Sequence, residues 1–295
     1  MKKQDPAIGF IGIGVLGKGL PLCLADRGYR VTAAYSRSPD SAQWLAGRLP
    51  GCGVFSSAQG LCDATDLVFI TTPDSEIGRV AASVSWRPGQ GVVHCCGAAS
   101  RELLNLAVGQ GAFTGAFHPY QTFAGLEAPE DIASRLSGVA FAVAGQDWLG
   151  SYLGEMATEL GGHPVSISDA DRPLYHASAV LACGYLVALL KATIQVWQAM
   201  GFSDQEALDA LYPISRATLD NLAKAGAEAS VTGPVVRGDI DTLRSHLETL
   251  SERLPEVAPV YAALTTASLG MAAQRGMGAE QLKDLQRLVQ QYKAK

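Results

Sequence analysis

The chain has 295 residues, 48% of them apolar and 17% charged, which provides for a large core and leaves too little polar bias for disorder. That length is comfortable for two domains. A formal net charge of −5 with no basic stripe gives no electrostatic footprint for a nucleic acid or an anionic membrane.

The chain opens on Met1-Lys2-Lys3-Gln4-Asp5-Pro6 and runs into a glycine-interrupted apolar stretch too short for a secretory signal. Apolar runs at 7–11, 30–35, 67–71, 91–95, 112–117, 139–143 and 164–167 predict strands. Helical patterns at 17–28, 40–49, 76–83, 101–109 and 148–160 fall between them. This alternation predicts an α/β, Rossmann-type, doubly wound and mostly parallel sheet with helices on both faces. From Asp171 onward only helical period remains, with helices predicted at 174–200, 203–212, 214–225, 240–254, 255–275 and 279–294. Asp171-Arg172-Pro173 is a helix start with proline in its first turn. An α/β domain over 1–168 and an all-α domain over 169–295 are therefore expected. The 177–190 section is apolar on nearly every face, which calls for burial all round, between domains or in a homodimer built by the helical domain. It is shorter than a membrane span and is closed by Lys191. The expectation is a soluble, cytoplasmic protein with no membrane or nucleic-acid partner. Cys23, Cys52, Cys62, Cys95, Cys96 and Cys183 form no C-x-x-C pair, so free thiols and no metal site are expected.

The first apolar run leads into Gly12-Ile13-Gly14-Val15-Leu16-Gly17, a G-x-G-x-x-G pattern between a predicted strand and a predicted helix. Gly12 allows the tight turn, Gly14 lets the backbone approach a pyrophosphate, and Gly17 lets the helix pack closely on the strand. The helix N-terminus offers free N–H groups and partial positive charge to the phosphates. An NAD enzyme usually carries Asp or Glu about 20 residues further on, to hold the ribose 2′-hydroxyl. This chain has Tyr35-Ser36-Arg37-Ser38 instead. Arg37 can pair with a 2′-phosphate and Ser36 and Ser38 can donate to it, so NADP(H) is the expected cofactor. Thr71-Thr72-Pro73 ends the next strand on the same edge of the sheet and should pass under the nicotinamide. The following Asp74 is expected to cap the next helix. Cys96 and Gly97, after the strand beyond, complete the cofactor candidates.

These features resemble the pyrroline-5-carboxylate reductase, prephenate dehydrogenase and β-hydroxyacid dehydrogenase group. A narrower resemblance is carried by His94-Cys95-Cys96-Gly97, by the stretch from Gly115 through His118-Pro119-Tyr120-Gln121-Thr122-Phe123, by Tyr175-His176-Ala177-Ser178-Ala179, and by Thr232 to Asp239. It is to a family that joins a Rossmann-like half to a C-terminal helical domain of unknown function (DUF 2520 type). The resemblance covers essentially the whole chain. It implies a helical domain like the C-terminal part of 6-phosphogluconate dehydrogenase, and an oxidoreductase. In related β-hydroxyacid dehydrogenases a Lys and an Asn one turn apart carry the chemistry. Val180 and Gly184 stand at that spacing here, which puts such a mechanism in doubt.

Hydride transfer belongs to the nicotinamide, and the protein must position the substrate carbon and handle a proton. Histidine suits that step. His118 follows a strand on the ligand edge and resembles the His-Pro of prephenate dehydrogenases, where the histidine contacts the substrate hydroxyl. His176 begins the long apolar helix. Both are catalytic candidates, with a loop cap and a satisfied core histidine as their alternatives. His94 reads as a strand residue, and His163 and His246 as histidines without a partner. Asp239 is placed to cap the helix from Ile240, whereas Arg237 could clamp a substrate carboxylate. Gln121, Thr122 and Ser178 are further substrate-binding candidates. The expected function is an NADP-dependent oxidoreductase acting on a small anionic keto or imino acid, or on the matching hydroxy or amino acid. A prephenate-dehydrogenase-like oxidation and a catalytically silent NADP(H) sensor are the alternatives.

Overall fold

The computed structural model describes residues 5–126 and 128–292. The chain divides into two compact units, 1–183 and 184–295. The expected boundary at 168/169 thus falls one helix early, because the helix starting at Arg172 is tied to the first unit by its side chains.

The first unit is built on one eight-stranded sheet: β1 (Ile8–Ile11), β2 (Val31–Tyr35), β3 (Gly53–Val54), β4 (Leu67–Ile70), β5 (Gly91–His94), β6 (Phe113–Pro119), β7 (Ala140–Gly145) and β8 (His163–Ser166). Their order is β3-β2-β1-β4-β5-β6-β7-β8, and every pairing is parallel except β6 with β7. This is the doubly wound Rossmann order with two further strands, and the topological switch lies between β1 and β4. Helices α1 (Val15–Ala25), α2 (Pro39–Ala46), α3 (Ala58–Ala64), α4 (Asp74–Ala82), α5 (Asn105–Gly109), α6 (Pro129–Leu136), α7 (Trp148–Glu159) and α8 (Arg172–Ala182) belong to the same unit. A 3-10 turn over Arg101–Leu104 precedes α5.

The strands are apolar on successive residues because each face of the sheet has its own core. One face carries Phe10, Phe69, Phe117 and Phe141, whose rings stack or meet edge-on at 4.8–6.0 Å across the sheet. The other carries Ile11, Val68, Ile70 and Val92, covered by Leu61, Ile77 and Leu104. All seven predicted strands are present to within a residue or two. Strand β3 and helices α3 and α6 are additions to the pattern read from the sequence.

The second unit holds α9 (Gly184–Ala199), α10 (Asp204–Ala225), α11 (Ala227–Ser230), α12 (Pro234–Arg237), α13 (Ile240–Arg253), α14 (Ala258–Gln274) and α15 (Ala279–Gln290). Its core is formed by Leu243, Leu247, Ala262, Leu269, Leu285 and Leu288. The sequence pattern predicts two helices either side of Pro213, but α10 runs through it. A proline costs a ladder hydrogen bond, and α10 is held at its start by a capping box between Ser203 and Glu206. Asp239 caps α13 as expected, accepting from the Thr242 amide at 3.1 Å.

The apolar helix departs from expectation in two ways. It is interrupted at Cys183, and α9 buries only Ile194. Leu181, Tyr185 and Val187 are more than 60% exposed. The stretch Arg172–Ala199 has the length expected, but it does not fall short of a membrane span as its apolar section suggests: it is the one helical stretch among the described residues long and apolar enough, by length and composition, to cross a membrane.

Gly17 and Gly14 separate packing from ligand approach. A Cβ on Gly17 would lie 2.2 Å from the Gly12 carbonyl oxygen, whereas one on Gly14 would meet nothing within 4 Å. Gly17→Ala should therefore cost about 1–3 kcal/mol of stability in urea denaturation, and Gly14→Ala less than about 1 kcal/mol.

Candidate active site

Between β1 and α1 the chain turns at Gly12, whose φ is +95° and whose N–H donates to the Tyr35 carbonyl at 2.8 Å. A Cβ at Gly12 would lie 2.8 Å from the Thr72 backbone nitrogen, so β1 and β4 meet here without room for a side chain. The Thr71 hydroxyl donates to the Gly12 carbonyl at 2.6 Å and fixes the turn from the β4 side. Gly14 is the N-cap of α1, and no side chain caps that helix. This uncapped end of the helix borders a cleft of about 460 Å³, which Gly14 lines. Gly12, Ile13 and Gly14 form one wall, Ser36, Arg37 and Ser38 one end, and Thr71, Thr72 and Pro73 the opposite wall. Val15, Leu16 and Gly17 do not line it: Gly17 packs against the turn, and Leu16 against the core.

Arg37 is 74% exposed and lies 3.6 Å from Glu76. Glu76, on the first turn of α4, also pairs with Arg79, and both line the cleft. Two guanidiniums therefore flank one carboxylate at the end where a 2′-phosphate would lie. The sequence points to Arg37 but not to Arg79, which belongs to another element. Asp74 does not cap α4, whose N-cap is Pro73. Its carboxylate instead accepts from the Cys96 thiol and holds that thiol pKa up, with burial the larger cause.

Cys96 and Gly97 lie beyond β5 and outside the cleft lining. Gly97 is where the two catalytic candidates meet. A Cβ there would lie 2.8 Å from His118 Nε2 and 3.0 Å from His176 Cδ2, so both imidazoles flank its backbone. His118, near the end of β6, makes a 2.8 Å hydrogen bond through Nδ1 with the Tyr175 hydroxyl of α8. The Ser178 hydroxyl donates to the Tyr175 carbonyl at 2.6 Å and lies 3.1 Å from the Tyr120 hydroxyl. Gln121 and Thr122 stay outside this group: the Gln121 amide group reaches the Arg135 carbonyl at 3.4 Å and accepts from the Thr122 amide. Arg237 belongs to the second unit, where it is exposed at the end of α12.

Burial pushes the His118 pKa down to about 4, aided by His176 and Arg172. The Tyr175 hydroxyl is pushed up to about 12 by burial, against the pull of Arg172. At neutral pH the pair is thus a neutral imidazole bonded to a protonated phenol. Such a pair can pass a proton without building a charge at rest. Neither Tyr175 nor Arg172 stands out in the sequence as a site residue. Their spacing of three on one helix, shared with the Asp169–Arg172 pair, is the one signal available there. His94 is fully buried, and its pKa also falls to about 4, mainly by desolvation and then by Arg172. His246, expected to lack a partner, bonds the Tyr261 hydroxyl at 2.8 Å inside the second unit.

Residues 1–119 match the Rossmann-like domain family, and residues 139–268 match the family described as a domain of unknown function (DUF2520). The two matches place a Rossmann-like domain ahead of a DUF2520 domain along the chain. No curated protein matches its sequence. Among solved structures it is similar to BF3122 from Bacteroides fragilis, provisionally described as an NADP oxidoreductase, at 21% identity and TM-score 0.70, covering 89% of this chain and 97% of that one. A reductive aminase from Aspergillus terreus, in complex with NADPH and ethyl-5-oxohexanoate, aligns at 17% identity and TM-score 0.63 over 98% and 93% of the two chains. A 1-pyrroline-5-carboxylate reductase from Streptococcus pyogenes aligns at 18% identity and TM-score 0.58 over 98% of each.

The two depressed histidines make folding pH-dependent. Between pH 6.5 and about 4 the unfolded chain binds protons at these sites and the folded one does not, so stability falls as pH falls through that window. Each histidine should contribute up to about 3 kcal/mol of the loss. His118→Asn should flatten the slope of urea-derived stability against pH across that window.

Proposed function

We propose that the protein is a soluble, cytoplasmic NADP(H)-dependent oxidoreductase, transferring a hydride between the nicotinamide and a small anionic keto or imino acid, or the matching hydroxy or amino acid. The cleft carries this reading: an uncapped helix N-terminus behind a glycine turn, with Arg37 and Arg79 at the far end and no carboxylate at the end of β2. The residues that would hold the cofactor are the Gly12–Gly14 turn for the pyrophosphate and Ser36, Arg37, Ser38 and Arg79 for the 2′-phosphate. When bound, NADPH supplies the hydride. The chain's own part is to hold the substrate near Gly97 and to move a proton through Tyr175 and His118, which are joined at 2.8 Å. The relatives described as a reductive aminase and as a pyrroline carboxylate reductase support a carbonyl or imine as the reacting group. No Lys/Asn pair occupies the Val180 and Gly184 positions, so proton handling falls to the phenol and imidazole.

In fluorescence titrations NADPH should bind more tightly than NADH. Arg37→Ala should weaken NADPH by about tenfold to a hundredfold while leaving NADH unchanged. Equal affinity for the two cofactors in the parent protein contradicts the cofactor assignment. With a screened keto acid and an amine donor, Tyr175→Phe should lower kcat about a hundredfold with NADPH affinity retained. NADPH binding without turnover on any substrate would favour a silent sensor.

A homodimer through the helical domain covers the exposed face of α9, where Tyr185 and Val187 are 61% and 65% exposed. Sedimentation at micromolar concentration should show a dimer, and Val187→Asp should shift it to monomer.

A further inference from the structure

Arg172 heads the fully buried side chains by volume, at 0% exposure. A buried guanidinium normally has most of its donors bonded and its charge matched. Here neither holds. Nη1 reaches the Cys96 carbonyl only at 3.5 Å, and Nε and Nη2 have no hydrogen-bond partner. The carboxylate paired with it, Asp169, stands 3.6 Å from Nε and is committed elsewhere. It accepts from Arg101 Nη2 at 2.8 Å, from Arg101 Nε at 3.1 Å and from the Arg101 amide at 3.2 Å. Two guanidiniums thus share one carboxylate, leaving one positive charge unmatched.

The unbonded atoms are the informative ones. Nε–H and Nη2–H lie on the same side of a guanidinium and form the fork that takes a carboxylate through two parallel hydrogen bonds. Arg172 is also the first residue of α8, whose N-cap Asp171 makes no cap bond because its side chain accepts from the Ser168 hydroxyl at 2.6 Å. The open fork is thus carried by the first residue of an uncapped helix, whose positive end adds to the charge of the guanidinium. Tyr175 is one turn along the same helix, and Arg172 is near enough to His118 to help keep that imidazole neutral.

We propose that Arg172 and the N-terminus of α8 form a carboxylate-binding subsite that anchors the anionic end of the substrate beside Tyr175 and His118. This rests on the reading of that pair as the reaction centre. It also assigns to Arg172 the clamp that sequence reasoning gives to Arg237. Tyr175 and the Asp169–Arg101 pair are the neighbouring groups that act on Arg172, and an anion reaching the fork displaces them.

The test uses the full chain without cofactor, with oxalate as probe and its neutral diamide, oxamide, as control. Oxalate should raise the melting temperature and oxamide should not. Arg172→Met should abolish the oxalate response and, by removing an unmatched buried charge, raise the resting melting temperature by roughly 3 °C. If that variant does not fold, Arg172→Lys keeps the charge but loses the fork and should weaken oxalate about tenfold. Asp169→Asn removes the competing carboxylate and should tighten oxalate at least about threefold. Oxalate without effect on the parent protein, oxalate protection surviving Arg172→Met, or equal protection by oxamide overturns the proposal. None of these readouts needs NADPH or turnover, so a failed cofactor titration and a failed anion response are separate results.

Discussion

The approach of α1 to β1 and β4 at the glycine turn governs the layout of the first unit. Gly17 lies so close to the Gly12 carbonyl that no side chain fits, and Thr71 locks the same carbonyl from the neighbouring strand. With the helix held there, its uncapped N-terminus lies at the switch point of the sheet, between β1 and β4. The phenylalanine row on one face and the aliphatic layer on the other keep those strand ends in register. The cleft is thus a consequence of sheet order and one close packing contact.

The second determinant is the water-poor ground just beyond the strand ends. His94, His118, Tyr175 and Arg172 are all drawn toward their uncharged forms by burial. The neutral forms suit the histidines and the tyrosine, whereas a guanidinium holds its proton. The result is one persistent positive charge among neutral imidazoles and a neutral phenol, a field that favours an anion.

The sheet is legible in the sequence because its strands are apolar on both faces and punctuated by glycine turns. The glycine turn and Ser36–Ser38 are legible because they sit at fixed offsets along one βαβ segment, and Thr71–Pro73 because it ends the next strand on the same edge. Arg79, Tyr175 and Arg172 are not, since their roles come from elements that folding brings alongside: α4 next to the end of β2, and α8 next to Gly97. The domain boundary is displaced for the same reason. Helical period begins at Asp171, but Arg172, Tyr175 and Ser178 bind α8 to the sheet through polar contacts that leave no trace in hydrophobic periodicity. The composition of the 177–190 segment demands a cover, and that cover is not supplied by the described residues of the chain itself.

Arg37 and Arg79 project from the surface, each paired with Glu76, and among the described residues neither has another hydrogen-bond or ion-pair partner. The groups proposed to tell one nucleotide from the other are therefore mechanically detached from the glycine turn proposed to hold the shared pyrophosphate. Selection acting on those three side chains can rewrite cofactor choice in few steps, each nearly neutral for folding. Among paralogues built on this frame, nucleotide preference should then be a shallow and often reversed trait, while the glycine turn stays fixed.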